Sequence, residues 1–157
     1  MTPALVAAEH AGVDFRLHEY DVDTAQGPTF GAAAAAALGV EPERMYKTLI
    51  TKVDGRQLCV AVVSVAGELD LKALAQAAGG KRAALAETTE AEKATGYVVG
   101  GISPLGHRRR MTVVVDESAL DHDSIYFNGG RRGLQLEMAP ADLLVAARAI
   151  RARIART

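Results

Sequence analysis

Two places in this chain combine residue types and spacing that suit chemistry: a lysine inside an apolar strand and a glycine-rich loop that runs into arginines. Lys47 stands between Tyr46 and Thr48, just ahead of Leu49 and Ile50. Its ammonium either points to solvent from the start of a central strand or sits at the mouth of a pocket, where it would hold a phosphate or a ligand hydroxyl. The residue pattern leaves both readings open. The loop is GYVVGGISPLG, Gly96 to Gly106, followed at once by His107, Arg108, Arg109 and Arg110. Gly100 and Pro104 give the spacing G-x-x-x-P, with Gly101 doubling the first glycine. Glycine permits close backbone approach and proline sets the turn. A loop of this kind can offer the backbone of Gly100, Gly101, Ile102 and Ser103 to a small polar ligand, with arginines beside it for phosphates. A plain surface turn followed by a solvated basic run fits the same letters.

Other routes to catalysis are poorly supplied. The four histidines, His10, His18, His107 and His122, form no H-x-x-x-H or H-E-x-x-H pattern, and each reads as a surface residue. No G-K-[ST] follows the glycine loop, and no G-x-G-x-x-G is present. Gly101 to Leu105 comes near a nucleophile elbow but puts proline where a helix should begin. The single cysteine, Cys59, excludes an intrachain disulfide and a cysteine-based metal site, and it lies in an apolar run where a thiol is inert. No metal and no cofactor are expected. An enzyme with this sequence lacks a standard side-chain nucleophile.

A formal net charge of −1 over 157 residues excludes a generic electrostatic nucleic-acid binder, so no DNA partner is expected. The distribution is more telling. Residues 1–30 hold five acids against Arg16, whereas residues 107–157 hold nine of the eighteen basic residues, all arginine. Such asymmetry supports a local phosphate-binding face. No apolar run approaches a membrane span and no basic segment precedes an apolar core, so the chain reads as cytoplasmic.

Positioning these groups falls to interleaved helices and strands. Thr2 caps a helix begun by Pro3 and stopped at Gly12, and residues 15–20 alternate as an edge strand. Asp21 to Pro28 is a polar loop, after which Thr29 caps the alanine-rich helix 30–38. Residues 45–53 and 57–65 form a hairpin about Asp54-Gly55, and the second strand is apolar on both faces, hence central. Asp70 caps a helix to Ala78, and Thr89 with Glu92 fits a capping box for another before Gly96. Strands follow at 111–115, 125–127 and 134–138. Pro140 opens a last helix with an apolar stripe of Leu143, Leu144, Ala147, Ile150 and Ile154, its solvated face carrying Arg148, Arg151, Arg153 and Arg156. The chain reads as one α+β domain with a mixed sheet and no internal linker.

Six strings in one order carry a resemblance: HEYD around Tyr20, Phe30-Gly31, MYKTLI around Lys47, VAGELDLK at 65–72, TGYVVGGISPLG at 95–106 and GGRRGL at 129–134. Together they closely resemble the YbaK family of bacterial trans-editing proteins, relatives of the editing domain inserted in bacterial prolyl-tRNA synthetase. The likeness covers nearly the whole chain and is strongest to the branch that hydrolyses cysteinyl-tRNA(Pro). It implies a curved, mixed, mostly antiparallel sheet approaching a barrel, with helices outside. It also implies that Lys47 holds the terminal adenosine, that the backbone from Gly100 to Pro104 lines the aminoacyl pocket, and that Tyr20 and Phe30 wall it. Thr48, Asn128, Gly129 and Gln135 join the substrate-binding set, and Arg108, Arg109, Arg110, Arg131 and Arg132 are assigned to the tRNA backbone. Two positions depart from the cysteine branch: a serine is replaced by Asn128 and an aspartate by Gln135, which carries no charge to face a substrate ammonium.

By that resemblance the partner is the 3′ acceptor end of an aminoacyl-tRNA, with prolyl-tRNA synthetase as a tethering partner and no membrane. The implied reaction needs no protein nucleophile, because the substrate's own thiol attacks its ester carbonyl while backbone amides from Gly100 to Ser103 stabilise the oxyanion. Two alternatives stand beside it. One is editing of another small residue such as alanine on tRNA(Pro); the other is a non-catalytic tRNA- or nucleotide-binding module.

Overall fold

The structure, a computed structural model, describes residues 1–23, 27 and 29–156; part of the expected polar loop 21–28 lies outside them. Three helices begin where the capping residues predict. Thr2 Oγ1 accepts from Leu5 N at the head of α1 (Pro3–Ala11), Thr29 from Ala32 N at α2 (Phe30–Leu38) and Asp70 from Ala73 N at α3 (Leu71–Ala77). The glycines after α1 and α2, Gly12 and Gly39, adopt left-handed φ values of 71° and 67°. In α4 (Thr88–Thr95) the outcome differs. No capping box forms: the helix starts two residues earlier, its N-cap Glu87 makes no side-chain cap, and Glu92 instead accepts from Val99 N at 2.8 Å. The glutamate is drawn to the glycine loop, whose amide has no helical partner.

The described residues also form ten strands: β1 (Phe15–Glu19), β2 (Met45–Val53), β3 (Gln57–Ser64), β4 (Glu68–Leu69), β5 (Ala83–Leu85), β6 (Thr112–Asp116), β7 (Ile125–Asn128), β8 (Leu134–Met138), β9 (Ile150–Ala152) and β10 (Ala155–Arg156). Eight of them make one mixed sheet in the order β1-β8-β7-β2-β3-β6-β9, with β5 also pairing β2, while β4 and β10 pair separately. The sheet curves without closing. Ladders β1/β8, β8/β7, β2/β3 and β2/β5 are antiparallel; β2/β7, β3/β6 and β6/β9 are parallel.

Both faces of the sheet are covered. On one, Leu58, Val60 and Val62 of β3 pack with Ala4 and Ala8 of α1, Ala94 of α4 and Leu143 of α5 (Pro140–Ala146). On the other, Cys59, Ala61 and Val63 meet Leu74 of α3. Burial on both sides explains why β3 is apolar at consecutive positions instead of alternating. Along the same second face, Ala34 and Ala35 of α2 pack on Met45 and Tyr126. Gly31 brings α2 down onto Val65, where a Cβ would approach Val65 Cγ2 to 2.6 Å.

The last helix is shorter than the sequence predicts. It ends at Ala146, Arg148 takes a positive φ of 51°, and the chain re-enters the sheet as β9 beside β6. Ile150 and Ile154 are four apart, so they fit a helical stripe, but they also alternate with Arg151 and Arg153 at the period of a strand. The open edge of β6 takes up that strand. Ile154 is thereby fully buried, its amide donates to Asp116 Oδ1 at 2.8 Å, and Arg156 pairs with Glu68 at 3.5 Å instead of lining a helix.

Candidate active site

A gap in strand pairing creates the site. One edge of β2 is covered by β3 along its length. Its other edge is shared: β7 pairs with Met45 and Tyr46, and β5 with Thr51 to Val53. Among the described residues, no strand pairs with residues 47–50 on that side. Ile50 O accepts from Ala86 N at 2.9 Å there, and the alternation of a strand turns the Thr48 peptide groups to the same edge. A cavity of about 400 Å³ opens at this gap, within the usual range for small-molecule sites.

Lys47 lines the cavity, half-buried, and donates to Gly67 O at 3.3 Å, which joins the MYKTLI and VAGELDLK strings in space. An ammonium has three hydrogens, so two remain for a ligand. Thr48 Oγ1 and Gln135 Oε1, both in the lining, are buried side-chain oxygens without a hydrogen-bond partner among the described residues. Such orphaned atoms are rare in folded proteins and call for an explanation. Tyr20, Phe30, Gly100, Ile102 and Asn128 complete the sequence-derived residues in the wall. Phe30 is 50 % exposed at the rim, and the Arg132 guanidinium lies 4.7 Å from its ring centroid.

The glycine loop is held by a run of specific contacts. Tyr97 is buried, which pushes its phenol up to about 12, and its hydroxyl donates to Leu105 O at 2.5 Å. Gly101 N closes a turn on Val98 O at 2.9 Å. That leaves the amides of Gly100 and Ile102, two residues of the cavity lining, without an internal partner among the described residues. Asn128 is a brace: Nδ2 donates to Gly100 O and Arg131 O, each at 3.2 Å, and Oδ1 accepts from Gly130 N at 2.6 Å. It ties the two glycine loops together.

Of the residues expected to bind or act on the substrate, Gly101, Ser103, Pro104 and Gly129 lie outside the cavity lining, as do the five arginines assigned to the tRNA backbone. Gly101 packs against the Arg131 backbone, and Gly129 O accepts from Thr2 Oγ1 at 2.5 Å. Ser103 is fully buried; its Oγ accepts from Leu105 N, and its carbonyl accepts from His107 Nε2 at 2.6 Å. Burial holds the His107 imidazole below its ordinary 6.5, and this hydrogen bond opposes the shift. Pro104 lines a separate groove with Arg108, Arg109, Arg110 and Arg148. Arg131 pairs with Glu19 at 3.1 Å.

Sequence reasoning missed Tyr46, Ile50, Leu85, Ala86 and Ala91 as lining residues. The first two lie in a string already singled out. The others belong to β5, the segment after it and α4, and they reach the cavity only because β5 pairs with the far end of β2. Cys59 is fully buried in β3, its thiol pushed up to about 11 by that burial. Among the described residues no group of three or more His, Cys, Asp or Glu is placed to hold a metal ion, and no helix is long and apolar enough to cross a membrane.

Comparisons with known proteins agree on one family. Residues 24–146 match the aminoacyl-tRNA editing domain. EbsC of Enterococcus faecalis, provisionally named a Cys-tRNA(Pro)/Cys-tRNA(Cys) deacylase, is 34 % identical over 143 residues, covering 91 % of this chain and 86 % of that protein. The multifunctional Ser/Thr-tRNA deacylase ProXp-y of Escherichia coli K12 is 30 % identical over 145 residues, covering 90 % and 83 %. The crystal structure of a protein described as a provisional trans-editing enzyme for prolyl tRNA synthetase superposes with a TM-score of 0.86 at 24 % identity, covering 99 % of this chain and 96 % of that one, and shares the fold. With its cavity built around the same ordered strings, this chain belongs to the aminoacyl-tRNA editing domain family.

Proposed function

We propose that this protein is a trans-editing deacylase that releases tRNA from a misacylated aminoacyl ester, with cysteinyl-tRNA(Pro) as its substrate. The observation that carries the reading is the cavity at the gap in β2, lined by Lys47, by two residues with unpartnered buried oxygens and by the glycine loop, with no serine, cysteine or histidine among the described lining residues. An aminoacyl ester is already activated, so positioning and oxyanion stabilisation suffice. Lys47 holds the terminal ribose or phosphate, the Phe30 ring and Arg132 receive the adenosine at the rim, and the Gly100 and Ile102 amides face the developing oxyanion. The cysteinyl sulfur attacks its own ester carbonyl carbon. The bond from that carbon to the ribose oxygen breaks, the thiol proton passes to the ribose oxygen, and a cysteine thiolactone leaves with deacylated tRNA. Prolyl-tRNA synthetase is the partner that selects tRNA(Pro), and the cytoplasm is the place of action.

A second reading, water-mediated editing of another small residue, draws on the Ser/Thr-tRNA deacylase relative and on the neutral side chains at Asn128 and Gln135. A single-turnover panel of Cys-, Ser-, Thr-, Ala- and Pro-tRNA(Pro) separates the two. Selective loss of the cysteinyl ester, abolished when the substrate thiol is blocked, is the expected result. Rapid cleavage of the alanyl ester, which offers no nucleophile, would overturn thiol attack in favour of water. No cleavage of any ester would leave the binding module standing.

A further inference from the structure

The cavity is one-sided in charge. Lys47 is the charged side chain in its lining, and no aspartate or glutamate of the described residues lines it. Gln135 stands in the same wall, 4 % exposed, with Oε1 buried and unpartnered. A buried amide oxygen left without a donor is costly, so its place in a ligand cavity marks where a ligand donor arrives. We infer that the cavity takes its aminoacyl group with the α-amine uncharged, one amine N–H donating to the Gln135 carbonyl. This rests on the reading of the cavity as an aminoacyl site.

An ammonium entering the cavity would lose its hydration, meet no carboxylate and share the space with the Lys47 ammonium. With the Gln135 amide turned end for end, its NH2 would donate to the lone pair of the uncharged amine, a contact that an ammonium cannot make. The surrounding charges do not reverse the balance. On β8, Glu137 accepts from Ser124 at 2.6 Å and lies 2.9 Å from His18 Nε2, with Arg44 3.7 Å away. On α4, Glu90 pairs with Lys52 at 3.0 Å, Glu92 holds Val99 N, Glu87 sits at the exposed head and Lys93 is exposed. Beside Tyr20, Glu19 pairs with Arg131, and Asp21 accepts from Asp23 N at 2.9 Å. Helix α2 carries no charged residue. Arg132 adds a cation at the rim. The Tyr46 phenol is raised by burial and stays neutral.

Protonation of the substrate amine therefore competes with binding. A peptide α-amine titrates at about 7.7–8.0, so affinity should rise about tenfold per pH unit below that point and level off above it. The test is calorimetric titration of the full chain with 3′-alanylamino-3′-deoxyadenosine, an uncleavable amide without a thiol, from pH 5.5 to 9. The propionylamino analogue, which lacks the amine, and the Gln135→Glu variant are run alongside. Expected are a Kd that falls about tenfold per unit up to the amine pKa in the wild type and pH-independent binding of the propionyl analogue. In Gln135→Glu the slope should be lost, with binding at least tenfold tighter than wild type at pH 6. Binding that is flat or tighter in acid, a slope that persists with the propionyl analogue, or no binding at any pH overturns the inference. The deacylase reading stands or falls separately, on the ester panel.

Discussion

Lys47 donates to the Gly67 carbonyl at 3.3 Å and lines the cavity. It belongs to a strand fixed by its apolar neighbours, so removing the ammonium leaves the core intact while deleting a charge-assisted contact. Lys47→Ala should slow deacylation by roughly ten- to a hundredfold, since hydrogen bonds to charged groups contribute about 1.5–3 kcal/mol. A single-turnover rate and a melting curve on the same sample check this; a wild-type rate removes Lys47 from the site. Cys59 provides the opposite case. Fully buried, with its thiol held at about 11, it is protonated at neutral pH and closed to reagents. Cys59→Ala should keep most of the activity, and iodoacetamide should leave the native protein unmodified. A dead Cys59→Ala that still melts like wild type would return the nucleophile to the protein.

At the scale of elements, β2 and the glycine loop make the site together. Strand β2 contributes its unpaired middle, and the loop closes over it through close backbone approach. Gly101 fits closely against the second glycine loop: a Cβ there would lie 2.8 Å from Arg131 Cα and 3.1 Å from Arg131 C, both backbone atoms that cannot rotate away. Gly101→Ala should therefore separate the loop from residues 129–133 and strain the Asn128 bridge to Gly100. Overpacking of this kind costs about 1–3 kcal/mol. The expected readout is a melting temperature lowered by several degrees with at least a tenfold loss of deacylation, and faster amide exchange at Gly130, whose N–H Asn128 holds. Unchanged exchange at Gly130 would show that the two loops are not coupled.

Taken whole, the molecule is almost neutral yet carries its arginines unevenly. Arg108, Arg109 and Arg110 make no ion pair among the described residues, whereas Arg131 and Arg156 pair with Glu19 and Glu68. The three lie in a groove that begins at Pro104, at the exit of the glycine loop. Replacing them by alanine should weaken binding to every tRNA alike. For each arginine–phosphate pairing removed, the slope of log K against log salt should flatten by about 0.7–0.9. Filter binding across a salt series measures this, and altered amino-acid preference at an unchanged slope would move these arginines from the RNA backbone to the substrate pocket.

Local events were legible along the chain. Thr2, Thr29 and Asp70 act on amides within one turn, so the helices they open were legible, as was the doubly buried β3 from its run of apolar positions. The ordered strings were enough to point to the family. The rest was set by packing, because it depends on partners far along the chain. Residues 149–156 satisfy a helical and a strand period at once, and the free edge of β6 settles which is used. Thr89 and Glu92 spell a capping box, but Val99 N, seven residues on from Glu92, takes the carboxylate. The cavity itself exists because β5 and β7 meet the same edge of β2 at different heights, a fact of pairing that no local pattern encodes.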